Sequence, residues 1–194
     1  MALARQTPDP ADPLTLRYWK AVAGLPSHRE DSLRSLEAVF SDASVPDQLD
    51  GPYVGRLLAT TLRPGLAVPF EVITRLWMPW KGKVLSGADS TGRNLFTPGW
   101  RTVMKVLWPR YRDLREEPGN RFSTFSFETW RGPGALDPSI DVFKIDYDHP
   151  GSPGLLIRPI LDELVHVDER LYLGQALMRW RGRYQRVAWF SLSA

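Results

Sequence analysis

Five side chains in the last third of this chain could move a proton: Lys144, Asp146, Arg158, Glu163 and His166, with Asp162 beside them. An amine, carboxylates and an imidazole near one bound molecule can serve as general acid and base. The reactions within their reach are isomerisation, cyclisation and hydration. Strand alternation decides whether they do so. Lys144 and Asp146 share one face of a strand, opposite Phe143, Ile145 and Tyr147. With the charged face inward, the five form a candidate catalytic group. With the aromatic face inward, Lys144 and Asp146 are solvated, which is the commoner fate of charged strand residues. Arg158 and Glu163 read as a structural ion pair, or as a clamp on a ligand carboxylate.

The histidines are His28, His149 and His166. His166 shares a strand face with Leu164 and Asp168, opposite Val165 and Val167. An imidazole there can act as a base or ligate haem iron. No second ligand or haem motif accompanies it, so a half-exposed strand histidine is the expectation, with no Soret band. No His/Asp/Glu spacing matches a metal set, and there are no cysteines to supply thiolate ligands or a thiol nucleophile. Neither metal nor cofactor is expected. No Gly-x-Ser-x-Gly, P-loop or Gly-x-Gly-x-x-Gly pattern occurs. Ser123 and Ser126 have no base near them in sequence.

These residues need a scaffold, and the periodicities describe one. Leu14, Arg17, Tyr18 and Val22 suit a short helix ended by Gly24 and Pro26. Ser27-His28-Arg29-Glu30 has the form of a capping box before a second helix carrying Leu33, Leu36, Val39 and Phe40. A strand is expected between Gly51 and Gly55, with Tyr53 opposite Val54. Pro69 then opens a helix bearing Phe70, Ile73 and Trp77. Trp80–Leu85 reads as a strand, Gly87–Gly92 as a turn, and Trp100–Trp108 as helix or strand. Further strands are expected over 122–130, 141–147, 157–160, 163–167, 171–180 and 184–192. Asp168-Glu169-Arg170 and Arg181-Gly182-Arg183 form the last turns. Short strands on tight turns predict an antiparallel meander, either barrel or sandwich.

Gly51-Pro52-Tyr53-Val54-Gly55 resembles the Gly-x-Trp-x-Gly opening strand of lipocalin-like barrels, with tyrosine in the tryptophan place. Trp80-Lys81-Gly82-Lys83, Lys144-Ile145-Asp146-Tyr147-Asp148, Arg158 to Glu163, and Leu171-Tyr172-Leu173-Gly174 look like strand blocks of bacterial proteins of that type. The likeness spans about residues 49 to 192. It implies an antiparallel lipocalin-like β-barrel, residues 49–194. The helical periodicities ahead of it predict an N-terminal helical segment, residues 1–48, packed outside, which makes the fold α+β, mainly β. The likeness also implies a cavity for a small apolar or amphipathic molecule, since alternate residues of every strand face inward. Trp80, Phe125, Phe127, Phe143, Tyr147 and Tyr172 are the expected wall. Trp77, Trp80, Trp100 and Trp108 are expected near the barrel mouth.

Composition narrows the partners. The apolar share of 43% and charged share of 24% suit a folded globular chain rather than a disordered one. The net charge of +3 spreads over 25 basic and 22 acidic residues. That mixed surface is not a nucleic-acid footprint. Arg179 to Arg186 interleaves arginines with aromatics, but across a hairpin turn. No apolar run reaches the length of a membrane span, and no secretory signal is visible, so a cytoplasmic location is expected. Binding in a barrel cavity is therefore the leading function, and metal-independent acid/base catalysis the alternative. Nothing in the sequence sets the ligand or the oligomeric state.

Overall fold

A computed structural model describes residues 13–61, 79–154 and 156–194. The helix expected from Pro69, with Trp77, lies outside them. Two helices come first, α1 (Pro13–Gly24) and α2 (Arg29–Asp42). Then follow β1 (Gly51–Thr60), β2 (Trp80–Ser86), β3 (Thr91–Phe96), α3 (Trp100–Leu107), β4 (Leu114–Glu117), β5 (Arg121–Pro133), β6 (Asp141–Asp146), β7 (Ile160–Asp168), β8 (Leu171–Trp180) and β9 (Arg183–Ser193).

The strands run antiparallel in the order β3-β2-β1-β9-β8-β7-β6-β5-β4, and β3 also pairs with β5. That extra pairing closes eight strands into a barrel and leaves β4 outside, on the first part of the long β5. The fold is thus α+β, mainly β, with the N-terminal helices packed outside.

Alternation divides β1 and β6 to β9 between two apolar layers. The inner layer includes Tyr53, Leu85, Phe127, Phe143, Ile145, Tyr147, Leu164, Tyr172 and Phe190. The outer layer joins Val142, Val165, Val167, Leu173 and Trp189 to Tyr18, Leu36, Val39 and Phe40 of the helices. Helices of this length bury too little apolar surface to hold alone, so the barrel's outer wall is what stabilises them. Where β6 no longer flanks β7, the His166 N–H donates to the Ser44 carbonyl (2.7 Å) and ties the end of the helical segment to the sheet.

Several local expectations need correction. The Ser27 hydroxyl does not cap α2: His28 is the N-cap residue, with no side-chain cap bond, and Ser27 Oγ instead meets His28 Nδ1 at 3.0 Å. The Ser27 and His28 amides are already turned back onto the Gly24 carbonyl. Thr91–Phe96 is a strand, not the tail of a turn, because Asn94 and Arg93 find polar partners on either side of the sheet. Trp100–Leu107 is a helix. Trp100 and Met104, one turn apart, are both buried, with Trp100 stacked on Phe96 and Trp108 edge-on to Phe125. The short strand expected over 157–160 is a run of turns, and β7 starts at Ile160.

Candidate ligand-binding site

The aromatic face of β6 points inward: Phe143, Ile145 and Tyr147 are buried, while Lys144 and Asp146 lie on the outer face. A charged group nonetheless sits inside the barrel. It is Lys83, 1% exposed, whose Nζ donates to Asn94 Oδ1 (2.9 Å), Asp162 Oδ2 (2.8 Å) and the Tyr147 hydroxyl.

Lys83 faces inward because β2 carries a bulge. Trp80 pairs with Phe96, yet Gly82 pairs with the next residue back, Leu95, so one extra residue enters β2 between them. Regular alternation from an inward Trp80 would send Lys83 to solvent; the bulge turns it inside. Gly82 is what permits this. Its φ is +135°, and a Cβ there would lie 1.9 Å from the Tyr53 carbonyl oxygen. No residue but glycine fits.

Around the ammonium the aromatic rings form a cage. Nζ lies 5.1 Å from the ring centres of Phe127 and Tyr147, 5.5 Å from Trp80 and 5.7 Å from Phe190. Such contacts add about 0.5–2 kcal/mol each, part of what offsets removal of the charge from water. Room for a large ring comes from the neighbouring strand β1, where a Cβ at Gly55 would strike the Trp80 indole at 2.4 Å. The second glycine of the Gly-x-aromatic-x-Gly segment thus serves close approach rather than a turn.

The polar groups are joined. The Tyr147 hydroxyl donates to Asp162 Oδ2 (3.0 Å) and accepts from Asn94 Nδ2 (2.9 Å), while Trp80 Nε1 donates to Asn94 Oδ1 (3.0 Å). Burial pushes the Lys83 amine below its ordinary pKa, and the Asp162 carboxylate opposes that push. Burial also pushes the Tyr147 phenol well above its usual value, with the Asp162 charge acting in the same direction. A cavity of about 50 Å³ opens against this group, lined by Lys83, Asn94, Tyr147 and Asp162, with Trp80, Phe96, Phe125, Ile157, Ile160 and Phe190 as its apolar walls.

Of the expected wall residues, Trp80, Phe125 and Tyr147 line this cavity. Phe127 packs edge-on against Tyr147, and Phe143 sits in the inner core. Tyr172 pairs with Tyr53 and with the His166 ring. The five acid/base candidates do not converge there. Lys144 and Glu163 approach each other to 3.8 Å on the outer face. Asp146 accepts the Asp148 N–H, and Arg158 forms a two-pronged bond to Asp148 rather than to Glu163. The His166 ring lies 5.3 Å from that of Tyr172.

Glu163, wholly buried, borders a second and larger hollow of about 860 Å³ between α2, the β5–β6 connection and the β8–β9 hairpin. A hydrogen-bonded chain crosses its floor. Glu163 accepts from the Ala135 N–H (2.7 Å) and Gln175 Nε2 (2.8 Å), Gln175 accepts from Arg186 Nε (2.6 Å), and Arg186 reaches Glu37 of α2 (3.0 Å).

Comparison with known proteins finds the fold alone. No family model and no curated protein matches the chain. The structure is similar to a crystal structure of a protein from Thermomonospora curvata. The TM-score is 0.50, over 91% of this chain and 97% of that one, at 14% identity. Among the described residues no helix is long and apolar enough to cross a membrane, and no three His, Asp or Glu side chains gather to hold a metal ion.

Reading from sequence alone omitted Lys83 and Asn94, and placed Asp162 only beside the candidates. The available signal was Gly82, since a lone glycine inside a strand pattern marks a bulge or a close approach.

Proposed function

We propose that the protein binds a small amphipathic molecule, its polar head seated against Lys83, Asn94, Tyr147 and Asp162 inside the barrel. The observation that carries this reading is the coincidence of the inner cavity with that buried polar group. Free space beside a buried ion pair forfeits packing contacts, and a purely structural pair gains nothing from it. Here the pair fronts free space. The volume suits a head of about two non-hydrogen atoms, given roughly 30 Å³ per water in the liquid. Lys83 and Asp162 balance each other's charge, so a neutral head such as a hydroxyl or carbonyl suits the site better than an ion. The apolar remainder of the ligand does not fit in that volume and would pass outward between the half-buried Trp80 and Ile160. This is the mode of binding that the resemblance to lipocalin-like barrels implies. The shared outer layer of Tyr18, Leu36 and Phe40 with Trp189 supports reading segments 1–48 and 49–194 as one domain.

Saturation-transfer NMR with 1-hexanol tests the reading. Transfer to the alkyl chain is expected in the wild type, and its loss in Gly55→Leu, where the added side chain drives the Trp80 ring into the cavity. No transfer to the wild type would overturn it.

One observation favours a second reading, acid/base catalysis on the bound molecule. The Tyr147 hydroxyl bridges Lys83 and Asp162, so a proton can pass between three groups lining one cavity. The set differs from the five outer candidates. Tyr147→Phe separates the readings: it would abolish turnover of a substrate while leaving hexanol transfer in place.

A further inference from the structure

We propose that Lys83 captures the carbonyl head of a short- or medium-chain aldehyde or ketone as an imine, making the cavity a covalent carbonyl-binding site. This rests on the reading of the barrel as a ligand-binding site and names the ligand class.

The geometry sets Lys83 apart from the other lysines. Its Nζ borders the cavity, held among four aromatic rings, whereas Lys20, Lys81 and Lys105 are exposed and Lys144 lies on the outer wall. An amine becomes a nucleophile once it loses its proton, and an apolar enclosure favours the neutral form. The proton has a receiver, because Asp162 Oδ2 is 2.8 Å from Nζ. Burial acts on Lys83 in the same direction.

The step balances. The ammonium passes a proton to Asp162, and the free amine forms a bond to the carbonyl carbon as the carbon–oxygen π bond breaks. The Tyr147 hydroxyl protonates the new oxygen and recovers its own proton from Asp162, across the 3.0 Å bond between them. The resulting carbinolamine is still protonated on nitrogen. It passes one of its two N–H protons by way of Asp162 and Tyr147 to its hydroxyl, which leaves as water as the nitrogen–carbon double bond forms. Overall, an aldehyde and a protonated lysine give a protonated imine and one water. The imine keeps the positive charge, so Asp162 stays paired with it as it was with the ammonium. The Asn94 amide, which donates 2.9 Å away to the Tyr147 oxygen, holds that hydroxyl in place.

The experiment is to incubate the wild-type protein with hexanal near neutral pH, reduce with sodium cyanoborohydride and map the alkylated lysines by peptide mass spectrometry. 1-Hexanol, which cannot form an imine, is followed in parallel by saturation transfer. The expected result is an adduct on Lys83 in preference to Lys20, Lys81 and Lys105, read as the ratio of alkylated to unmodified peptide at each position. In Lys83→Met/Asp162→Leu, where both charges leave together so that the core can still pack, the adduct is expected to vanish. Labelling confined to the exposed lysines while hexanol still binds would overturn the imine and leave the binding site standing. Absence of both the Lys83 adduct and hexanol transfer would overturn both.

Discussion

Asp162 and Glu163 are neighbours on β7, both acidic and both buried, at 5% and 0% exposure, yet they sit in opposite worlds. Asp162 faces the barrel interior and is answered by a lysine, a phenol and an aromatic cage. Glu163 faces outward beneath the helices and is answered by a backbone amide, a glutamine and, at the end of a chain, an arginine and a glutamate nearer the surface. The outer arrangement links Glu163 through Gln175 to the Arg186–Glu37 pair, with Lys144 at 3.8 Å, in a network that ends beside a wide hollow. The inner one confines two opposite charges against about 50 Å³ of space. Burial alone therefore does not identify a working site. What distinguishes Asp162 is that the gap beside its partners lies inside the barrel, walled by aromatic rings and bordered by the lysine that balances it.

The contrast can be broken by mutation. The largest effect is expected from Asp162→Ala, which leaves the Lys83 charge uncompensated and should lower unfolding free energy by about 3–5 kcal/mol. Urea denaturation reads it, and Lys83→Met added to Asp162→Ala should recover much of the loss. Glu163→Ala should cost about 2 kcal/mol, because it orphans the Ala135 amide and the Gln175 side chain where water has partial access. Equal losses at the two positions would erase the distinction drawn here.

Smaller still is the change with pH. Lys83 has a folded pKa below its unfolded value. Between the two the unfolded chain holds more protons, so its contribution makes stability rise with pH up to about 10.4. Tyr147 is shifted upward, keeps its proton when folded and gives it up when unfolded, so above about pH 10 its contribution falls. Lys83→Met/Asp162→Leu should flatten the rise and leave Glu163→Ala as the control that does not.

The smallest effect belongs to a third carboxylate, Asp148, at the surface. Arg158 first, then Arg179, hold its carboxyl below the usual range. That contribution is present above the unfolded value of about 3.9 and is lost as pH falls through the folded one. Asp148→Asn should cost less than about 1 kcal/mol and nothing measurable at high salt.

Much of the fold was legible in the sequence because alternation survives wherever strands are regular. Phe143, Ile145 and Tyr147 identify their own face, and Tyr53 opposite Val54 does the same for β1. Legibility fails where tertiary contacts override the local pattern. Thr91–Phe96 carries a glycine and three polar residues, and looks like a loop until Phe127 is seen to lie where a Cβ of Gly92 would be. Trp100–Leu107 has apolar residues enough for either periodicity, and packing of Trp100 on Phe96 selects the helix. The site was half legible: its aromatic walls Trp80, Phe125 and Tyr147 could be named from alternation. Lys83 could not, because a residue's facing depends on every bulge between it and the reference position.

The Gly82 bulge has an evolutionary reading. With a regular β2 of unchanged length, the lysine would sit on the outside and the barrel would hold an ordinary greasy core. The lesion that erases the inner charge need not touch any residue that bears chemistry. Loss of one codon at Lys81 would leave Trp80 and Lys83 two positions apart and both inward, whereas a side chain at Gly82 with the length unchanged would abolish the bulge and turn one of the two out. Among relatives of this chain, then, a lysine at this position marks the polar centre only where the bulge glycine, or a segment one residue shorter, accompanies it.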